Sequence, residues 1–378
     1  MFLPIDCGGL LSDTIHRLPR VERFGDRSID GTRYVSEAYL EAEVAALFRR
    51  GWVVAAPAWR VASPGDVAVF KEAGVDVIVT RDHNGVLHAH HNRCMHRGSR
   101  LVDKCGRHDQ LVCGYHGWQY GLDGRLDCAT GSDGFGGIDV SRMRLKSVRV
   151  AESAGLVWVC LDDRTSELDE YWQGIHEELL PYKLSEMRPI QETVFTIPVN
   201  WKSMLENAFD YYHVHQVHRF TIHAHVDDQP ELALYGDHIR QNLHIAPYRW
   251  RRWLDTRCSR GGPYTSKQRS RLYKYTLFPN TIINVLPYHF TVMRFWPDGV
   301  GKTRLHYAFC QREGATGVEW LRAHGTWLAS RVILAEDVRM LVRSQVDMDV
   351  DVVPQHLLHD FEAASAHFHA TIDRWMTD

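Results

Sequence analysis

Apolar positions recur at two different periods along this chain, and the change of period divides it. Between 36 and 50, Leu40, Val44 and Leu47 fall on one stripe at helical spacing. Ser36 stands at the N-cap position, Glu37 follows in the first turn, and Gly51 is a stop. The pattern predicts a helix over 36–50. After Gly51 the apolar runs shorten and are broken by Pro64-Gly65-Asp66, Asn84-Gly85 and Asp123-Gly124. Val75–Thr80 and Val86–His91 flank Asn84-Gly85, which predicts a β-hairpin. Ser153–Leu161 reads as the last strand of a small β-domain.

From about 165 the texture is mixed. A helical segment is predicted over 202–218 and strands over Tyr273–Leu277, Thr281–Leu286, Thr291–Phe295 and Leu305–Gln311. Helices are predicted over 318–345 and 355–375. Asp255–Arg271 is polar and basic and reads as a surface loop, with a lid over a pocket as the second reading. Strands followed by helices predict an α+β domain, helices covering one face of an antiparallel sheet. The expected division is a segment over 1–45 packing on the larger domain, a β-domain over 46–162, and the larger domain over 163–378.

Composition narrows the classes. An apolar fraction of 44% with twelve Trp in 378 residues is enough for two filled cores. A net charge of −3 implies no nucleic-acid partner. No apolar run approaches the twenty residues of a membrane span, and Met1–Asp6 lacks the features of a signal peptide, so a cytoplasmic protein is expected. Cys7, Cys105, Cys128, Cys160, Cys258 and Cys310 are scattered without a disulfide framework and are expected to be free.

The other two cysteines carry the chemistry. Cys94-Met95-His96 and Cys113-Gly114-Tyr115-His116 are mixed thiolate–imidazole pairs, sixteen residues apart. Zinc could use two Cys and two His, but zinc motifs group like with like. Mixed pairs repeated twice suit two different irons, one held by both Cys and the other by both His. The stretch C-M-H-R-G-S-R-L … C-G-Y-H-G-W-Q-Y-G-L-D-G closely resembles the Rieske domain of ring-hydroxylating oxygenases. The resemblance implies a [2Fe–2S] cluster on Cys94, His96, Cys113 and His116. Gly114 departs from the family, which often has Pro there.

A second constellation runs from Asn200 to His218. On an ideal helix Glu206, Asn207, Asp210, His213 and His218 would share one polar face in an otherwise apolar and aromatic segment. A buried polar stripe needs partners or a metal. Two His and one carboxylate form the facial triad of non-haem Fe(II) oxygenases. Helical geometry does not choose the second His; His215, His223 and His225 stay open. For the carboxylate, Asp337 is a lone acid flanked at helical spacing by Ile333, Leu334, Met340 and Leu341, whereas Glu336 has Arg339 three residues on and reads as a surface ion pair.

N-W-K-x3-E-N-x2-D-x2-H-x4-H resembles the mononuclear iron motif of the same family, whose terminal oxygenases join a β Rieske domain to a helix-grip, START-like α+β catalytic domain. The resemblance implies Fe(II) on His213, His218 and Asp337, the helix ending or bulging between the two His. It implies Asp210 as the bridge to a cluster histidine, His116, of a neighbouring subunit in a homotrimer. Gln345 fits the family's spacing after Glu336-Asp337. Electrons would come from NAD(P)H through a separate reductase or ferredoxin, since the chain has no GxGxxG or P-loop, and O2 would be the co-substrate.

Glu206, Asn207, Phe209, Asn284 and Phe290, with Phe278 and Phe295, are candidate pocket residues. They favour a small aromatic substrate, with a methylated amine or methoxy compound as the alternative. Arg251, Arg252 or Arg294 could pair a substrate carboxylate. A pure Rieske electron carrier would need only the first motif. His88, His90, His367 and His369 are discounted as ligands.

Overall fold

The Asn84-Gly85 turn forms as expected: Gly85 takes φ +80°, and Val75–Arg81 pairs antiparallel with Leu87–His91. In this computed structural model the described residues are 28–137, 139–222, 231–244, 271–286, 289–315, 317–346 and 348–377. Arg251, Arg252, His223, His225, Cys7, Cys258 and all but the last residue of the 255–271 stretch lie outside them. Contacts divide the chain into one unit of 41–188 with 296–298, and a second holding the described parts of 1–40, 189–295 and 299–378. Residues 163–188 thus group with the β-unit.

The first unit is built from three small sheets. One orders Arg149–Ser153, Leu156–Cys160 and Val53–Pro57. A four-stranded sheet contains the hairpin, and a three-stranded sheet contains Leu111–Val112, Gln119–Tyr120 and Leu126–Cys128. Val67, Ile78, Leu111, Trp118, Tyr120 and Leu126 share one core with Cys94 and Cys113. His90 is buried here, 3% exposed.

The helix expected over 36–50 is α-helical across Glu37–Glu43 and widens into a π-type turn across Val44–Phe48. Ser36 Oγ accepts the backbone N–H of Tyr39.

The second unit rests on an antiparallel seven-stranded sheet. Its strands are β1 (Met187–Ile197), β2 (Glu231–Tyr235), β3 (His238–His244), β4 (Arg271–Leu277), β5 (Thr281–Leu286), β6 (His289–Pro297) and β7 (Thr303–Arg312), ordered β1-β7-β6-β5-β4-β3-β2. The helices are α1 (Trp201–Phe209), α2 (Val214–Val217), α3 (Val318–Val346) and α4 (Ala363–Thr377). Cross-strand register fixes the faces. Gln241 pairs with Lys274, Lys274 with Asn284, and Asn284 with Thr291, so these four share one face. That face meets the helices: Gln241 Nε2 donates to the Phe209 carbonyl of α1, and Tyr307 Oη donates to Ser330 Oγ of α3. An antiparallel sheet with helices on this face is the expected α+β architecture.

Two elements differ from the sequence reading. The helix predicted over 355–375 starts only at Ala363; Gln355–Leu357, just after Pro354, pairs instead with Ser28–Asp30. The segment predicted as one helix over 202–218 is broken at Asp210, whose ψ of 134° leaves the helical region. The break precedes His213 and does not fall between His213 and His218.

Aromatic rings concentrate where α4 meets α1. Trp201, Phe209 and Phe278 stand with ring centroids 5.9, 5.8 and 6.1 Å from Phe368 of α4. Phe368→Ala is expected to cost about 3–5 kcal/mol of unfolding free energy, measured by denaturant titration; a loss below about 1 kcal/mol would show that this cluster is not a structural hub.

Candidate metal centres

Two loops in the first unit carry the same backbone pattern. The Cys94 N–H donates to the Ser99 carbonyl at 2.7 Å, and the Gly98 N–H donates back to the Cys94 carbonyl at 2.9 Å. The Cys113 N–H donates to Trp118 at 2.8 Å, and the Gly117 N–H to Cys113 at 3.0 Å. Gly98 and Gly117 hold φ +71° and +74°, a conformation costly for any residue with a Cβ. The pattern points both cysteines into the core, with Cys94 3% and Cys113 2% exposed, and leaves His96 half-buried and His116 exposed. The two imidazoles lie together, ring centroids 4.6 Å apart, with His96 stacked on Trp118 and His116 on Tyr115.

These loops suit a cluster rather than a single ion. Ligand atoms around one zinc stand about 3.3–3.8 Å apart. Among the described residues the group that closes to within 4.8 Å is His213, His218 and Asp337, so the Cys2His2 set is wider than that. Burial raises the thiol pKa of Cys94. At Cys113 burial pulls the same way, but backbone N–H groups of Tyr115 and His116 and the Cys94 side chain bring it below the usual thiol value. The Tyr120 hydroxyl stands 3.2 Å from Cys94 Sγ. Sulfur held among N–H and O–H groups suits thiolate ligands. His96 Nδ1, buried without a hydrogen-bond partner, fits a missing group on the imidazole side.

In the second unit the helix break decides the geometry. Asp210 caps the end of α1 in an extended conformation and accepts the Tyr212 N–H at 2.6 Å. Its other oxygen is 2.8 Å from His213 Nδ1. α2 then returns His218, which is 1% exposed. From α3, Asp337 Oδ1 lies 2.8 Å from His218 Nε2 and 3.5 Å from His213 Nε2.

Glu336 does what the sequence did not suggest. Instead of serving a surface pair with Arg339, its Oε2 is 2.8 Å from His218 Nδ1 and accepts the Thr221 hydroxyl at 2.7 Å. Each imidazole is therefore held at Nδ1 by one carboxylate and presents Nε2 to a third, which fixes the tautomer a metal needs.

The electrostatics fit a cation. Burial works against a charged His213 ring, yet the hydrogen bonds it donates to Asp210 and Asp337 hold its pKa up at about 9. Burial works against the Asp337 carboxylate, yet hydrogen bonds from both imidazoles, and one from Asn207, keep it at about 2. Asp337 Oδ1 is nonetheless buried without a well-oriented hydrogen bond. Two imidazoles and a carboxylate can hold a divalent iron on one face and leave its other positions open.

The remaining candidates divide. Glu206 accepts the Tyr34 hydroxyl at 3.0 Å and lies 2.9 Å from His369 Nε2, so His369, discounted from sequence, belongs to a buried network. Glu206, Asn207, Asp210 and Gln345 line a hollow of about 230 Å³. Gln345 Oε1 accepts the Asn200 N–H and so pins the start of α1. Phe209 and Phe278 pack on Phe368 and do not form an aromatic slot. Phe290 pairs with Val285 and lies on the sheet face opposite Asn284, as does Arg294. The residue that sequence reasoning missed on the helical face is Lys274.

The model of the Rieske [2Fe-2S] domain matches residues 51–140, and that of the ring hydroxylating alpha subunit (catalytic domain) matches residues 184–378. The chain belongs to the ring-hydroxylating alpha subunit family. The glycine betaine monooxygenase oxygenase subunit of Chromohalobacter salexigens is 30% identical over 230 residues, covering 59% of this chain and 52% of that one. The chloroplastic choline monooxygenase of Beta vulgaris is 31% identical over 195 residues, covering 50% and 44%. The matches span about half the length of these curated relatives. A crystallised quaternary ammonium Rieske monooxygenase shares the fold with a TM-score of 0.79 at 20% identity, covering 92% of this chain and 95% of that one.

These relatives give no support to an aromatic-ring substrate or to dioxygenation. Among the described residues of this alpha subunit, no helix is long and apolar enough to cross a membrane.

If Glu336 orients His218, Glu336→Gln is expected to weaken Fe(II) binding at the second centre about ten- to a hundredfold while the cluster spectrum persists. Competitive titration with a chelator reads the loss; unchanged affinity would return Glu336 to an ordinary surface carboxylate.

Proposed function

We propose that this chain is the terminal oxygenase component of a Rieske non-haem iron system, acting as a monooxygenase on a small quaternary ammonium compound. One observation carries the oxygenase reading: His213 and His218 are each held at Nδ1 by a carboxylate and both aim Nε2 at Asp337. A pure electron carrier has no use for that arrangement. The ammonium class is supported by relatives named for glycine betaine and choline.

In this reading Cys94, Cys113, His96 and His116 hold the [2Fe–2S] cluster, and His213, His218 and Asp337 hold Fe(II). The bound irons supply one-electron steps and open coordination positions for O2 beside substrate. The chain's own residues do the rest. Asp210 and Glu336 fix the two imidazoles and keep Nε2 unprotonated for the metal. Asn207 fixes Asp337. His116, exposed at the edge of the first unit, faces outward for electron exchange. A reductase or ferredoxin, charged by NAD(P)H, delivers two electrons. Asp210 bridges His213 to His116 of the next subunit in a homotrimer. Overall, one atom of O2 enters a C–H bond as hydroxyl and the other leaves as water, consuming two electrons and two protons.

The test is a single turnover of chemically reduced holoenzyme under 18O2 with choline, glycine betaine, carnitine and naphthalene. A product of one ammonium compound with one labelled oxygen, or labelled formaldehyde with the demethylated amine, is expected. A labelled diol from naphthalene alone would overturn the ammonium reading. Unchanged turnover in Asp337→Ala would overturn the iron assignment.

A further inference from the structure

The helical face of the sheet carries an unusual polar row. Gln241, Lys274, Asn284 and Thr291 stand side by side on β3, β4, β5 and β6. Such rows are expensive beneath helices unless they are satisfied or used. Lys274 is the centre of it. Its Nζ donates to the Ala208 carbonyl in the last turn of α1 and lies 4.8 Å from the centre of the Tyr211 ring. Ala208 and Tyr211 flank Asp210 in sequence, so Lys274 stands beside the second centre.

An ammonium has three N–H donors, and among the described residues one is used in a hydrogen bond. The Gln241 amide N–H donates to the Phe209 carbonyl and that of Asn284 to Thr291 Oγ1 and Met293 Sδ, and the two amide oxygens are unpartnered. Free carbonyl oxygens suit the positively polarised methyl hydrogens of a methylated ammonium. A fixed Lys beside them would repel a substrate that is only a cation. It suits one that carries its own anion.

We propose that Lys274 receives a carboxylate of the substrate, so that the substrate is zwitterionic, a methylated ammonium joined to a short carboxylic acid, rather than an amino alcohol. This deepens the ammonium reading above and rests on it for the cationic end only. Lys274 replaces Arg294, which faces the other side of the sheet.

The experiment is calorimetric binding to iron-loaded protein with three probes that separate the two charges. Glycine betaine carries both, 3,3-dimethylbutyrate carries the carboxylate on an uncharged isostere, and choline carries the ammonium alone. In Lys274→Met, both carboxylates are expected to weaken about ten- to a hundredfold while choline binds as well or better, relieved of a like charge; Lys274→Arg recovers part of the carboxylate loss. Carboxylate binding that is the same in wild type and K274M would overturn the proposal and leave the ammonium reading standing. Lys274-dependent binding of 3,3-dimethylbutyrate with no binding of either ammonium compound would uphold the carboxylate site and overturn the ammonium reading.

Should K274M not fold, wild-type protein decides alone. A preference of about tenfold or more for 3,3-dimethylbutyrate over its alcohol, 3,3-dimethyl-1-butanol, supports the site, and equal binding of the two refutes it.

Discussion

The second unit is organised around one partly buried carboxylate. Asp337 comes from the middle of a 29-residue helix and meets two imidazoles that lie over a hundred residues earlier in sequence. A carboxylate whose Oδ1 is shut off from water is tolerable only if positive charge or hydrogen-bond donors are brought to it. Everything nearby serves that requirement. α1 stops at Asp210 so that the chain can turn; the turn delivers His213 with its Nδ1 already bound; α2 brings back His218; and Glu336, next to Asp337 on the same helix, takes His218 Nδ1. Three carboxylates around two imidazoles leave net negative charge at the point where the two Nε2 atoms converge, which is the charge a divalent iron neutralises.

The first unit solves a related problem with backbone rather than charge. Two loops of matching hydrogen-bond pattern, each turned by a glycine at positive φ, present sulfur inward and imidazole outward. The one-residue difference between C-x-H and C-x2-H is absorbed inside the loops, since the glycine follows each Cys by four residues. Burial of the thiol side and exposure of the imidazole side give any cluster held there a polarity: one iron in the core, the other at the surface. Gly114 has open space where a Cβ would stand, so the local packing does not require glycine there.

What the sequence made legible was local. Ligand spacing within a loop, the Asn84-Gly85 turn and a lone Asp on an apolar stripe are all set by neighbours within a few residues. Glu336 was misread because its partner, His218, lies 118 residues away, whereas Arg339 lies three away. His369 was set aside for the same reason, since its partner Glu206 lies 163 residues earlier, whereas Gln345, placed by the family's spacing, pins the Asn200 N–H. The break at Asp210 hid behind helix-compatible spacing on both sides. Pairing Asn284 with Phe290 in one pocket failed on parity. The hairpin register sets Asn284 against Thr291, and residues adjacent in a strand point to opposite faces.

The same parity bears on the expectation of an aromatic substrate. A chain with fourteen Phe, fifteen Tyr and twelve Trp invites an aromatic slot, but ring count is a statement about cores before it is one about ligands. Here Trp201, Phe209 and Phe278 are drawn to Phe368, and Phe290 lies on the face turned away from the helices. The helical face still has rings, with Phe309 stacked on His289, but polar groups stand among them: Gln241, Lys274, Asn284 and Thr291. Burying four polar side chains under a helix pair costs stability that an apolar ligand could not return, because it would leave the remaining Lys274 N–H donors and two amide oxygens unsatisfied. A small ligand carrying its own charges satisfies them. The polarity of this face, rather than the aromatic content of the chain, is therefore what supports the proposed ammonium class.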